Sequence, residues 1–242
     1  MKTSKPLAIL LAVVTAVLLV SASVAVPLLC RPFYYAHIEP MGLEEYSGLS
    51  REQICRAYDE MMDFCTGLRN DFSAGDLWFS ESGASHFADV RSLFLLDLWA
   101  MAISLILLAA LFLWCRRKKV RPHCFGGRGP GFWAAAGLGA AFLTVGGLAA
   151  LNFDRAFVIF HALFFPGKDN WMFDWREDPI ILLLPQEFFR NCALLILALL
   201  LVWCAILIAS DVAASRLRKK RCQTDPPPTC GGNCAGCSGC QS

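Results

Sequence analysis

Four stretches of this chain are long and apolar enough to cross a bilayer, which restricts the fold more than any other feature. A transmembrane helix needs roughly 20 consecutive apolar residues, because in hydrocarbon every backbone amide must find its partner inside the segment. Leu7 to Leu29, Leu93 to Cys115, Phe132 to Leu151 and Cys192 to Ala209 reach that length, and each gives way to polar sequence. The 56% apolar content and mean hydropathy of +0.49 lie outside the range of an ordinary soluble domain. The expected fold is an all-α membrane protein with four transmembrane helices.

Lysine and arginine set the expected orientation, since cytoplasmic loops near helix ends carry the excess positive charge. Arg116-Arg117-Lys118-Lys119-Val120-Arg121 and Arg216-Leu217-Arg218-Lys219-Lys220-Arg221 are strongly basic, and Lys2 and Lys5 precede the first span. Both termini are therefore expected in the cytoplasm, and the two acidic segments outside. This divides the chain into an uncleaved helix at 1–30, an extracytoplasmic loop at 31–91, a helix at 92–115 and a basic cytoplasmic loop at 116–131. A third helix at 132–151, an aromatic and acidic extracytoplasmic loop at 152–191, a fourth helix at 192–212 and a cytoplasmic tail at 213–242 complete it. The two outer loops are expected to build an outward-facing cap. The net charge of +2 hides this asymmetry and does not suggest a nucleic-acid partner. A cleaved signal peptide is the competing reading of the first span, given Lys2, Lys5 and the small residues Ser21-Ala22-Ser23, but the uninterrupted apolar length favours an anchor. Cys30 lacks a lipobox context, because Leu28-Leu29 precede it.

Within the first outer loop, Ser50-Arg51-Glu52-Gln53 has the spacing of a capping box. Ile54, Tyr58, Met61 or Met62 and Cys65 then recur at helical spacing, which predicts a helix from Arg51 to Cys65 that packs on the bundle or serves as a lid. Residues 70–83 form a turn-rich passage carrying Trp78 and Phe79. In the third span, Gly137, Gly139, Gly146 and Gly147 allow close helix approach. Asp97, inside the second span, is expected to face protein rather than lipid.

The chemistry centres on two histidines. His86 stands just before the second span and His161 lies in the second outer segment, at a depth where an imidazole can exchange protons beside an acyl ester. On a helix, Asp89 would share a face with His86 and could orient or polarise it. Asp169 and Asp174 offer further carboxylates, Arg91 and Asn170 candidate donors for an oxyanion, and Trp171 an interfacial aromatic. Pro166-Gly167 predicts a turn directly after the aromatic run that contains His161.

Two other functional classes compete. Histidines beside aspartates suit a transition metal and hence a metal-dependent membrane hydrolase, but no compact ligand spacing is present. A membrane sensor or assembly factor would use the histidines structurally. The tail after Pro226-Pro227-Pro228 is separate: Cys230, Cys234, Cys237 and Cys240 have a spacing that could capture a metal ion, or belong to an unstructured appendage.

His86-Phe87-Ala88-Asp89-Val90-Arg91 before the second span resembles the lipoprotein intramolecular transacylases, a bacterial four-span membrane family. So does Phe160-His161 followed by Phe164-Phe165, Gly167, Asp169, Trp171, Asp174 and the Pro185, Phe188-Phe189 exit. The resemblance runs from the first span to the fourth and leaves the cysteine-rich tail outside. It implies a catalytic dyad of His86 and His161, with no metal or other cofactor in the active site. It also implies a diacylglyceryl lipoprotein as substrate, whose sn-2 acyl chain moves to the amine of its own N-terminal cysteine, in the bacterial cell membrane with the active site outside.

Overall fold

The computed structural model describes residues 3–224; the four tail cysteines named above lie outside the described residues. A two-residue strand β1 (Thr3–Ser4) leads into α1 (Lys5–Leu29), followed by the short helices α2 (Arg31–Tyr35) and α3 (Leu43–Ser47) and by α4 (Arg51–Cys65). Next come α5 (Glu81–Lys118), β2 (Arg121–Pro122), α6 (Pro130–Leu151) and α7 (Phe153–Phe164). A 3-10 turn at Pro179–Leu183 precedes α8 (Gln186–Thr224).

Helices α1, α5, α6 and α8 are each long and apolar enough to span a membrane. At about 1.5 Å per residue, the 38 residues of α5 exceed the roughly 30 Å of a bilayer core. The excess consists of polar turns at its start and the basic turn Arg116–Lys118 at its end.

The chain divides into two compact units. One comprises Met1–Val20, Ala100–Thr144 and Ala198–Ser242. Within it, Leu19, Ala135, Leu200 and Cys204 make a small apolar cluster, and β1 pairs in parallel with β2. Asp211 accepts the Gly129 N–H at 3.0 Å and pairs with Arg128 at 3.3 Å, fixing the entry to α6.

The other unit comprises Ser21–Trp99 and Val145–Leu197 and holds the larger core. The capping box of α4 is formed: Ser50 Oγ accepts the Gln53 N–H at 3.3 Å, and Gln53 Oε1 accepts the Ser50 N–H at 3.0 Å. The face predicted from periodicity is buried, with Ile54, Ala57, Tyr58, Met61 and Cys65 inside. Tyr58 stacks on Tyr34 at 3.6 Å between ring centroids, and the Tyr34 hydroxyl donates to the Leu183 carbonyl at 2.9 Å. Glu60 gathers the passage that follows, accepting from Ser73 Oγ at 2.6 Å and pairing with Arg56 and Arg69. A Cβ on Gly146 would come within 2.8 Å of Leu197, so this third-span glycine permits close approach, whereas Gly137 and Gly147 face open space. Asp97 is half-buried, with Oδ2 enclosed and without a hydrogen-bond partner among the described residues.

Candidate active site

Two short-range signals place the histidines. His86 lies in the second turn of α5, where polar residues precede the apolar run that starts at Leu93. His161 lies in the last turn of α7, a helix not anticipated in the sequence reading of the second outer segment. The signals for α7 were nonetheless present. Asn152 Oδ1 accepts the Arg155 N–H at 2.9 Å as an N-cap, Asp154 favours the first turn, and Phe153, Phe157 and His161 recur every fourth residue. The helix stops where Pro166 and Gly167 follow, Gly167 adopting φ +74°.

Both imidazoles are 6% exposed, and their ring centroids are 5.9 Å apart. His86 is surrounded by Phe165 at 5.1 Å, Phe173 at 5.4 Å and Phe87 at 5.9 Å. His161 is flanked by Phe157, tilted at 4.3 Å, and by Trp171, stacked at 4.4 Å with 25° between the planes. Its Nδ1 is 2.8 Å from the Phe157 carbonyl, which can only accept, so Nδ1 carries a proton and Nε2 of the neutral ring carries the lone pair. Burial lowers the pKa of His161 below the ordinary histidine value, partly opposed by that carbonyl. Nδ1 of His86 is buried without a partner among the described residues; Asn170 borders the same ring, and its Oδ1 is orphaned as well.

The supporting residues separate into distinct groups. Asp89 does not bond an imidazole: Lys168 Nζ donates to its two oxygens at 2.6 and 2.7 Å, and Asn170 Nδ2 reaches it at 3.3 Å. Desolvation pushes the Asp89 pKa up, but the Lys168 and Asn170 hydrogen bonds, together with the charge interactions with Lys168 and His86, hold it below the ordinary carboxyl value. Arg91 donates to the Arg69 carbonyl at 2.6 Å and lies over the Phe64 ring at 4.8 Å, committed to the turn after α4. Asp169 and Asp174 are exposed, and Asp174 accepts the Arg176 N–H at 2.9 Å in its own turn. Sequence reading missed Lys168, because its partner is 79 residues away. It also passed over Phe173 and named Phe165 only within the family motif; their places against His86 emerge only when the two segments meet.

Such a pair of enclosed imidazoles can take a proton from a buried nucleophile and return it to a leaving group. Among the described residues no group of three or more histidine, cysteine or acidic side chains is arranged to hold a metal.

No curated protein matches the chain. Its fold is similar to the structure of the membrane integral lipoprotein intramolecular transacylase Lit from Bacillus cereus, at 23% identity and a TM-score of 0.75, covering 89% of this chain and 96% of that one. The same Bacillus cereus protein with a histidine-to-arginine substitution is similar at 22% identity and a TM-score of 0.71, covering 90% and 93%. Residues 9–189 match the family model described as lipoprotein intramolecular transacylase Lit, a range that contains both histidine segments and reaches the start of the fourth span. The chain is an integral membrane enzyme and belongs to the lipoprotein intramolecular transacylase family.

Proposed function

We propose that His86 and His161 carry out the acyl transfer as an acid–base pair on a diacylglyceryl lipoprotein with a free N-terminal cysteine amine. The observation that supports this most directly is the pair itself, two buried imidazoles 5.9 Å apart inside an aromatic enclosure. The substrate amine is protonated near neutral pH and must lose a proton before it can attack. His161 Nε2 takes that proton, the Phe157 carbonyl having fixed the opposite nitrogen as the donor. The amine nitrogen then bonds to the sn-2 ester carbonyl carbon. The tetrahedral intermediate collapses by breaking the bond between that carbon and the glycerol oxygen, giving an amide and an alkoxide. The nitrogen gives up a second proton as the amide forms; the imidazole pair delivers one proton to the alkoxide and releases the other to water, so that both rings end as they began.

The amine and ester belong to one molecule, and holding them together can be worth roughly 7–11 kcal/mol. Trp171, Phe157, Phe165 and Phe173 provide such an enclosure. A hydrogen bond from His86 Nδ1 to the neighbouring Asn170 Oδ1, both otherwise without partners among the described residues, would leave both Nε2 atoms for the substrate. Asp89 and Lys168 join α5 to the turn after α7, and Arg91 steadies the turn after α4 rather than an oxyanion. Asp169 and Asp174, both exposed, lie at the rim, where they meet the lipoprotein's polar portion. The basic stretches support cytoplasmic termini, with the active site on the extracytoplasmic face of the bacterial cell membrane.

The test is mass spectrometry of the N-terminal lipopeptide from a lipoprotein co-expressed with this chain in a host without the activity, beside His86→Ala and His161→Ala. The intact chain should yield the N-acyl lyso form, and each variant the unchanged diacylglyceryl cysteine. A variant that retains the wild-type rate removes that histidine from the mechanism.

A further inference from the structure

Asp178 is buried to 4% exposure, unlike the acidic residues Asp169, Asp174 and Glu177 on the same segment. Its carboxylate accepts the Ser80 N–H at 2.8 Å and the Ser80 O–H at 2.7 Å. Ser80 Oγ accepts in turn from the Gly83 N–H at 2.9 Å, the bond expected of a residue capping a helix start. Asp178 therefore grips the first turn of α5, six residues before the carbon that bears the His86 ring when counted from Ser80. A second link lies beside it, from Trp78 Nε1 to the Arg176 carbonyl at 3.1 Å. Gly83 is required in this contact, because any Cβ there would overlap the Asp178 carboxylate.

The segment that ends in this grip begins at the other histidine. The Phe165 N–H donates to the His161 carbonyl at 2.8 Å, and Phe165 and Phe173 then press on the His86 ring at 5.1 and 5.4 Å. Residues 165–178 thus run from the end of α7 to the start of α5, with Asp178 closing the span. The geometry points to Asp178 as a positioning residue for the acyl-transfer reaction, setting the register of His86 against His161 through Ser80 and Gly83. This rests on the reading of the two histidines as the acid–base pair. A carboxylate suits the place for two reasons: it accepts two bonds at once, and its charge is favourable at a helix N-terminus.

The experiment measures kcat and KM of the full-length enzyme in vesicles, with a synthetic diacylglyceryl lipopeptide bearing a free amine, for Asp178→Ala, Asp178→Asn, Gly83→Ala and His86→Ala. Unfolding temperature is recorded for each, and rates are taken per folded enzyme. Asp178→Ala is expected to lower kcat by about tenfold to a hundredfold with KM within about twofold, as displacement of a catalytic group by an ångström does. Asp178→Asn, which can still bond Ser80 in the same place, restores most of the rate. Gly83→Ala reproduces the loss and adds nothing further in the Asp178→Ala background, since the overlap it creates is then absent. If Asp178→Ala fails to accumulate in the membrane, Gly83→Ala and Asp178→Asn carry the test. A lowered unfolding temperature with wild-type kcat in Asp178→Ala or Gly83→Ala, alongside an inactive His86→Ala, overturns the positioning role. Activity in His86→Ala overturns the histidine reading itself.

Discussion

Trp171→Ala is a perturbation whose outcome can be worked out in advance. The indole covers one face of the His161 ring at 4.4 Å, while the Phe157 carbonyl holds Nδ1 from within the helix. Removing the indole leaves that hydrogen bond but forfeits a stacked aromatic pair worth about 1 kcal/mol, which converts to about fivefold in rate if the whole of it orients the ring. A second effect depends on pH. Burial holds the His161 pKa below its ordinary value, so at a given pH the wild-type ring is protonated less often than an ordinary histidine. Admitting water lets the pKa rise, so a larger fraction of the variant is protonated, and unable to act as base, as the pH falls through the ordinary histidine range. The substrate amine also gains rate with pH, but it does so for both enzymes and cancels in their ratio. The assay is the initial rate of lyso-form lipopeptide production, by mass spectrometry, between mildly acidic and mildly basic pH. The variant should be about fivefold slower at the basic end, and its deficit should widen toward acid, with Trp171→Phe in between. A ratio that stays flat or narrows toward acid would refute the reasoning, as would a loss at the basic end equal to that of His161→Ala.

Tyr34→Phe orphans the Leu183 carbonyl in a fully buried position and should destabilise the folded enzyme by about 1–2 kcal/mol, measured by thermal unfolding in detergent with kcat per folded enzyme unchanged. Glu60 has a lowered pKa, chiefly from the Ser73 hydrogen bond, so its stabilisation is present above the ordinary glutamate range and fades as the pH falls through the lowered value. Glu60→Gln should therefore unfold at a lower temperature at neutral pH, and the gap should close in acid. The Lys168–Asp89 pair is partly exposed, with side chains 46% and 25% accessible, so its coupling in a cycle of Lys168→Met and Asp89→Asn should be below about 1 kcal/mol and shrink with added salt.

The parts of this fold that can be read from sequence are those governed by local rules. The spans followed from length and apolarity, and α4 followed from Ser50, Gln53 and a run of apolar residues at helical spacing. By contrast, nothing local brings Lys168 to Asp89 or Asp178 to Ser80, because each pairing is made by the tertiary fold across 79 and 98 residues. The expectation that Asp89 would orient His86 relied on their three-residue spacing, and the carboxylate instead turned to a cation from another segment. Helix α7 was readable in principle from Asn152 and its aromatic spacing, but the density of phenylalanine there also fits an interfacial belt, and the periodicity was hidden within it.

Helix α7 also has a consequence for the setting in which the enzyme works. Its inner face carries His161 at 6% exposure, while Ile159 and Leu163 on the other side are 57% and 71% exposed. One short helix thus carries the proposed proton-transfer group on one face and exposed apolar side chains on the other, and the two faces cannot move independently. Lipids that are too thick or too thin for the apolar face would tilt the helix and rotate the imidazole against Trp171. Acyl transfer by this enzyme should then vary with the chain length of the surrounding lipids, so that the thickness of the membrane becomes a determinant of the rate at which its lipoproteins are remodelled.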